Sequence, residues 1–215
     1  MIRILFSVLF IFALVGCSSN QIKNDFKFNG ENEKGVMIGS ITFDGKYSAY
    51  KIGYRKYDNK RLNFVQAGKA MLLLPITPET EIEKYGEKGN VFGVELEPGV
   101  YIFEMWQIDS GSISTGAPII DKIEVVIKGG EALYVGNFHF EETKSFGLTV
   151  VGAKVFYSSK YKRDSKLIKL KYPLIAGQIN PTNIEGTHLI GRGEKSGISF
   201  LLEALGKSQN IKYNK

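Results

Sequence analysis

Between residues 36 and 157 the chain is cut into short β-branched and aromatic runs by Gly, Pro, Asn and Asp, a pattern that suits strands and leaves no room for long helices. Residues 36–43 form one such run. Residues 48–57 form the next, with Tyr50, Ile52 and Tyr54 on one face at period two, and Asp44-Gly45 between the two runs predicts a hairpin. Residues 71–76 are a compact apolar run, and residues 90–96 lead into the turn Glu97-Pro98-Gly99. Residues 100–108 are apolar on both parities, which predicts a central strand covered on both sides. Residues 119–128 alternate, and Gly129-Gly130 predicts a second hairpin into residues 132–140. Residues 147–157 supply one more strand. The fold class expected is mainly β: an antiparallel β-sandwich.

Two helical segments are expected after the strands. Asp164 is placed to cap a turn carrying Leu167, Ile168 and Leu170, which Tyr172-Pro173 stops, and Ser196 precedes Ile198, Leu201, Leu202 and Leu205 with Gly206 as the stop. The sandwich therefore takes residues 36–160, and residues 161–215 form a C-terminal extension with short helices packed on an edge or face.

The N-terminus has a different character. Arg3 is the one charged residue before position 17, and residues 4–15 are Leu, Ile, Phe, Val and Ala relieved by Ser7. Twelve helical residues rise roughly 18 Å, short of the ~30 Å of a hydrocarbon core, so residues 1–16 read as a cleaved signal peptide rather than a permanent span. The segment closes on Leu14-Val15-Gly16-Cys17, which resembles the lipobox of bacterial lipoproteins. That resemblance implies a cut between Gly16 and Cys17, with diacylglycerol carried as a thioether on Cys17. Two or three acyl chains, at ~0.8 kcal/mol per buried CH₂, would make the attachment effectively permanent. By the same analogy Ser18, standing where inner-membrane lipoproteins carry Asp, implies an outer-membrane address.

Residues 17–35 then read as the lipidated cysteine and a flexible tether with a reach of roughly 20–25 Å, unless Phe26 and Phe28 belong to a first edge strand. Cys17 is the sole cysteine, so no intramolecular disulfide is available and the mature fold stands on its own core. The net charge of +6 falls to +5 without Arg3, a mild excess that argues against a nucleic-acid partner. The densest basic run, Lys160-Tyr161-Lys162-Arg163 followed by Lys166, Lys169 and Lys171, reads as a solvated helix face or a contact to anionic lipid or polysaccharide.

The turn around Leu96-Glu97-Pro98-Gly99-Val100-Tyr101 and the Gly129-Gly130 turn resemble the last strands of transthyretin-like or carboxypeptidase-regulatory-like sandwiches. Pro98 to Tyr101, Gly129 to Gly136 and Asp164 to Pro173 together resemble β-rich bacterial lipoproteins over roughly residues 36–173. The resemblance implies a fold and no activity.

Chemistry is sparse. His139 and His188 are the two histidines, about fifty residues apart, with no metal-ligand spacing, so no metal and no cofactor are expected. The segment Gly191-Arg192-Gly193-Glu194-Lys195-Ser196-Gly197 lacks the spacing of a phosphate loop and reads as a flexible entry to the last helix. Glu141-Glu142 and the Glu79, Glu81, Glu83 series read as solvated turns. Tyr47, Tyr50, Tyr54 and Tyr57 either line a sugar or peptide platform or build a core. The functional expectation is a lipid-anchored envelope protein with a non-enzymatic interaction domain and an envelope protein or polysaccharide partner. Its alternatives are an envelope hydrolase using His139 or His188, and a small-ligand or carbohydrate binder.

Overall fold

The computed structural model describes residues 21–28, 34–70 and 80–196. Gly16, Cys17, the 71–76 run and the helix expected after Ser196 lie outside the described residues.

Among the described residues ten strands build two facing sheets, a β-sandwich. The first sheet runs β10 (Thr187–Glu194), β8 (Thr149–Ser158), β7 (Ala132–Phe146), β1 (Gly35–Phe43), β4 (Lys88–Leu96), with the short β9 (Ile179–Pro181) also on β7. The second runs β3 (Asn63–Gly68), β2 (Ala49–Lys56), β5 (Gly99–Ser110), β6 (Ile113–Ile127). All pairs are antiparallel except β1 with β7 and β7 with β9.

Every residue of β1 is buried, because both of its faces are covered. Met37, Ile41 and Phe43 enter the core between the sheets with Tyr50, Ile52, Phe103, Trp106 and Phe138. Val36 and Ile38, of the other parity, enter a second core on the outer face of the first sheet. That core is closed by helix α1 (Tyr161–Lys171), which contributes Leu167 and Ile168, and by Ile22, Ile82, Tyr172 and Ile175. At about 1.5–3 kcal/mol per large side chain fully buried, this outer layer is a substantial part of the stabilisation.

Three sequence expectations change here. Asp44-Gly45 and Gly129-Gly130 are not hairpin turns: each carries the chain from one sheet to the other, as Glu97-Pro98 also does. The turn chemistry marks where the chain reverses, and strand burial decides to which sheet it returns. Strand β6 alternates buried and exposed positions, whereas residues 132–138 of β7 are nearly all buried, so they suit different layers. The hairpins are instead β2–β3, β5–β6 and β7–β8.

Strand β5 is apolar on both parities for another reason. Glu104 is an extra residue between Phe103 and Met105, which pair with Tyr54 and Gly53 of β2. This bulge inverts the parity, so Tyr101 and Phe103 before it and Trp106 and Ile108 after it all face the same inter-sheet core.

The extension beyond residue 160 also completes the sheet rather than only capping it. Gly191 and Gly193 belong to β10, paired with β8, and not to a loose entry loop. Their lack of side chains lets this edge strand lie on the Trp106 indole. A Cβ on Gly191 would sit 2.4 Å from Nε1 and 2.5 Å from Cδ1 of Trp106. Gly191→Ala is therefore expected to destabilise by about 1–3 kcal/mol through overpacking, with a change in the emission of Trp106, the one tryptophan in the chain. Gly177→Ala, with nothing within 4 Å, is the matched control, and equal denaturation midpoints for the two variants would contradict the contact.

Candidate functional site

Helix α1 starts at Tyr161 after Lys160, which makes no side-chain cap, so Asp164 is not the cap expected from the sequence. It lies inside the first turn and is fully buried, its carboxylate turned onto the sheet. Oδ2 accepts hydrogen bonds from Ser40 Oγ at 2.6 Å and Tyr134 Oη at 2.7 Å, while Oδ1 accepts from Arg163 Nε at 2.7 Å. Arg163 spans the cluster, donating to Glu87 Oε2 at 2.6 Å and, through Nη2, to Ser40 Oγ and Asn137 Oδ1 at 3.0 Å each. The carboxylate and the guanidinium that the helix brings down thus meet donors and acceptors on β1 and β7 and the carboxylate of Glu87, as burial of charge requires.

The network continues along the sheet. Asn137 Nδ2 donates to Thr42 Oγ1 at 3.2 Å, and Thr42 lies 3.0 Å from His139 Nδ1. Nε2 of the same ring faces Asp44 at 3.5 Å. This brings a hydroxyl, an imidazole and a carboxylate into line, but Thr42 is fully buried, so the hydroxyl has no route to a substrate. His188 lies on the exposed edge strand β10 and bonds through Nε2 to the carbonyl of Glu185 at 2.6 Å. Among the described residues no group of three His, Cys, Asp or Glu side chains is placed to hold a metal ion.

The tyrosines do not form one platform. Tyr50 stacks on Phe43 with centroids 4.2 Å apart and donates to Glu142, while Tyr54 packs against Phe103. Tyr57 alone of these is 64 % exposed. Burial pushes the Glu142 carboxyl above its ordinary range, against the hydrogen bond from Tyr50, which favours the charged form. A carboxyl with a raised folded-state pKa stabilises the fold most below its unfolded pKa, and that contribution is lost as pH rises through the folded value. Glu142→Gln keeps an acceptor for Tyr50 without the desolvated charge. It is expected to match or exceed the parent melting temperature at pH 7 and to lose that relative gain in acid; a lower midpoint at pH 7 would contradict this.

Two clefts open on the second sheet. One, of about 840 Å³, lies between edge strands β3 and β4 and is lined by Lys34, Lys56, Arg61, Tyr54, Phe64 and Glu97. Burial, with the neighbouring Tyr101, pushes the Tyr54 phenol there up to about 12. The other, of about 990 Å³, lies on the outer face of the second sheet, at the bulge. Glu104 projects into it, paired with Arg55 and 4.0 Å from Lys122, while Met105, Ala117, Pro118 and Ile119 give an apolar floor and Tyr57 a rim.

The chain reaches the sandwich at the edge of β4, where Gln21 itself lines the first of these clefts. Gln21 bridges to Val94, Ile22 donates to the carbonyl of Gly93 at 3.0 Å, and Ile22 and Tyr172 both lie over Gly93. Phe26 and Phe28 meet edge to face at 5.5 Å and pack on the outer core as coil, not as a strand. Residues 21–28, expected to be tether, are therefore part of the folded layer. Neither the bulge nor the Arg163 network was expected, although Ser40 and Thr42 interrupting an apolar strand, and Asn137 within another, were signals of buried polar partners. The chain matches no protein-family model, no curated protein and no solved structure.

Proposed function

We propose that this chain is a lipid-anchored cell-envelope protein, cut between Gly16 and Cys17 and held by acyl chains on Cys17, whose β-sandwich is a non-enzymatic recognition domain. The observation that carries the proposal is the apolar leader closing on Leu14-Val15-Gly16-Cys17. Support comes from the division of labour between the layers: residues 21–28 run along the outer face of the first sheet, and the bulge cleft opens on the far face of the second. An anchor that meets the chain at the β4 edge leaves the bulge cleft clear of the residues that carry the chain to the membrane. Ser18 favours the outer membrane as the address.

A second reading, a binder of small ligands or carbohydrate, is favoured by the cleft itself. Its volume of about 990 Å³ is that of a ligand pocket, with apolar floor, charged wall and aromatic rim in one place. The hydrolase alternative gains no such support, since the hydroxyl beside His139 is sealed in. Affinity capture from crosslinked envelopes tests the leading proposal. An envelope protein or polysaccharide is expected to be recovered with the parent and to be depleted for a Tyr57→Ala/Lys122→Ala variant. Recovery of the chain alone at every salt concentration would count against a recognition role.

A further inference from the structure

We infer that the exposed face of α1 is a second membrane contact, a basic surface that seats on anionic phospholipid headgroups and holds the sandwich in one orientation. The inference rests on the proposed anchor and fixes how the anchored domain lies.

The first observation is distance. Three residues separate Cys17 from Gln21, and even fully extended the four Cα-to-Cα steps span at most about 14 Å. Gln21 is pinned to Val94, and Ile22 packs beside Tyr172 at the C-terminal end of α1. Acyl chains on Cys17 therefore bring that end of the helix to the bilayer surface, which a free tether of eighteen residues would not do.

The second observation is what the helix presents there. Asp164, Leu167 and Ile168 face the sheet. Lys162, Lys166 and Lys169 lie on the exposed face with no ion pair among the described residues, in contrast to Arg163 and Lys171, which are tied to Glu87 and Glu81. Leu170 is 71 % exposed and Leu174 54 % exposed beside these lysines. Lysine stems and leucines side by side suit the headgroup boundary, where ammonium groups meet phosphate and the apolar parts dip beneath it. Basic side chains within a Debye length of an anionic leaflet are attracted to it.

The test is lysine acetylation footprinting of the chain purified from membranes and reconstituted in phosphatidylethanolamine vesicles, with and without phosphatidylglycerol. Lys162, Lys166 and Lys169 are expected to react several-fold more slowly when phosphatidylglycerol is present, and high salt is expected to remove the protection. Lys122, on β6 of the second sheet, is expected to be unchanged. Uniform reactivity with acyl mass on the Cys17 peptide would overturn the orientation and leave the anchor standing. An unmodified Cys17 peptide in the same digest would overturn the anchor, and this inference with it.

Discussion

Asp164→Ala is expected to destabilise the fold by about 3–5 kcal/mol, seen as a lower denaturation midpoint with an unchanged slope. The carboxylate is fully buried and accepts from Ser40, Tyr134 and Arg163 at once. Removing it leaves a nearly buried guanidinium with Glu87 as its remaining carboxylate partner, and leaves the Tyr134 hydroxyl, itself buried, without its acceptor. Breaking one side of a buried pair strands the other, which is the expensive case. Asp164→Asn, which keeps the shape and one acceptor, is expected to lose less. Arg163→Ala/Asp164→Ala is expected to lose clearly less than the sum of the single variants, since each single change already breaks the shared network. A midpoint for Asp164→Ala within about 0.5 kcal/mol of the parent would mean that α1 is not held through this cluster.

Cys17→Ser is expected to abolish lipid modification and move the chain from the membrane to the soluble fraction. Serine offers no thiol for the thioether, and the apolar leader is too short to serve as a span in its place. Among the described residues no helix is long and apolar enough to cross a membrane, so they supply no substitute anchor of that kind. The basic face of α1 alone would be a weak, salt-sensitive attachment. A variant that keeps both its lipid mass and its membrane fraction would defeat the assignment.

What the chain disclosed before folding, and what it withheld, follows from the range of the signals. Period two in β2 put Tyr50 and Tyr54 on one face, which the fold buries, and Leu167 and Ile168 were legible as the buried stripe of α1, because both patterns are local. Leu170, read as part of that stripe, is solvent-exposed. The sheet partners were not legible: Asp-Gly and Gly-Gly mark sharp reversals, but whether the next strand returns to the same sheet depends on faces covered by residues far away in sequence. The Glu104 bulge was hidden for a related reason. It shifts parity by one, and without its partners Gly53 and Tyr54 the result looks like a strand buried on both sides.

The polar network escaped because its members are spread from Ser40 to Arg163 and only the packing of α1 brings them together. Asp164 looked like a cap for the ordinary reason that Asp near a helix start is one. The Gly191 and Gly193 pair looked like a loop because its purpose, clearance for Trp106, lies on the other sheet.

The anchor is tested most directly by the mass of the N-terminal peptide of the chain extracted from cell membranes. The expected peptide begins at residue 17, with diacylglycerol on the Cys17 sulfur. A chain that begins at Met1, carries a free thiol at Cys17 and is recovered from the soluble fraction would contradict it.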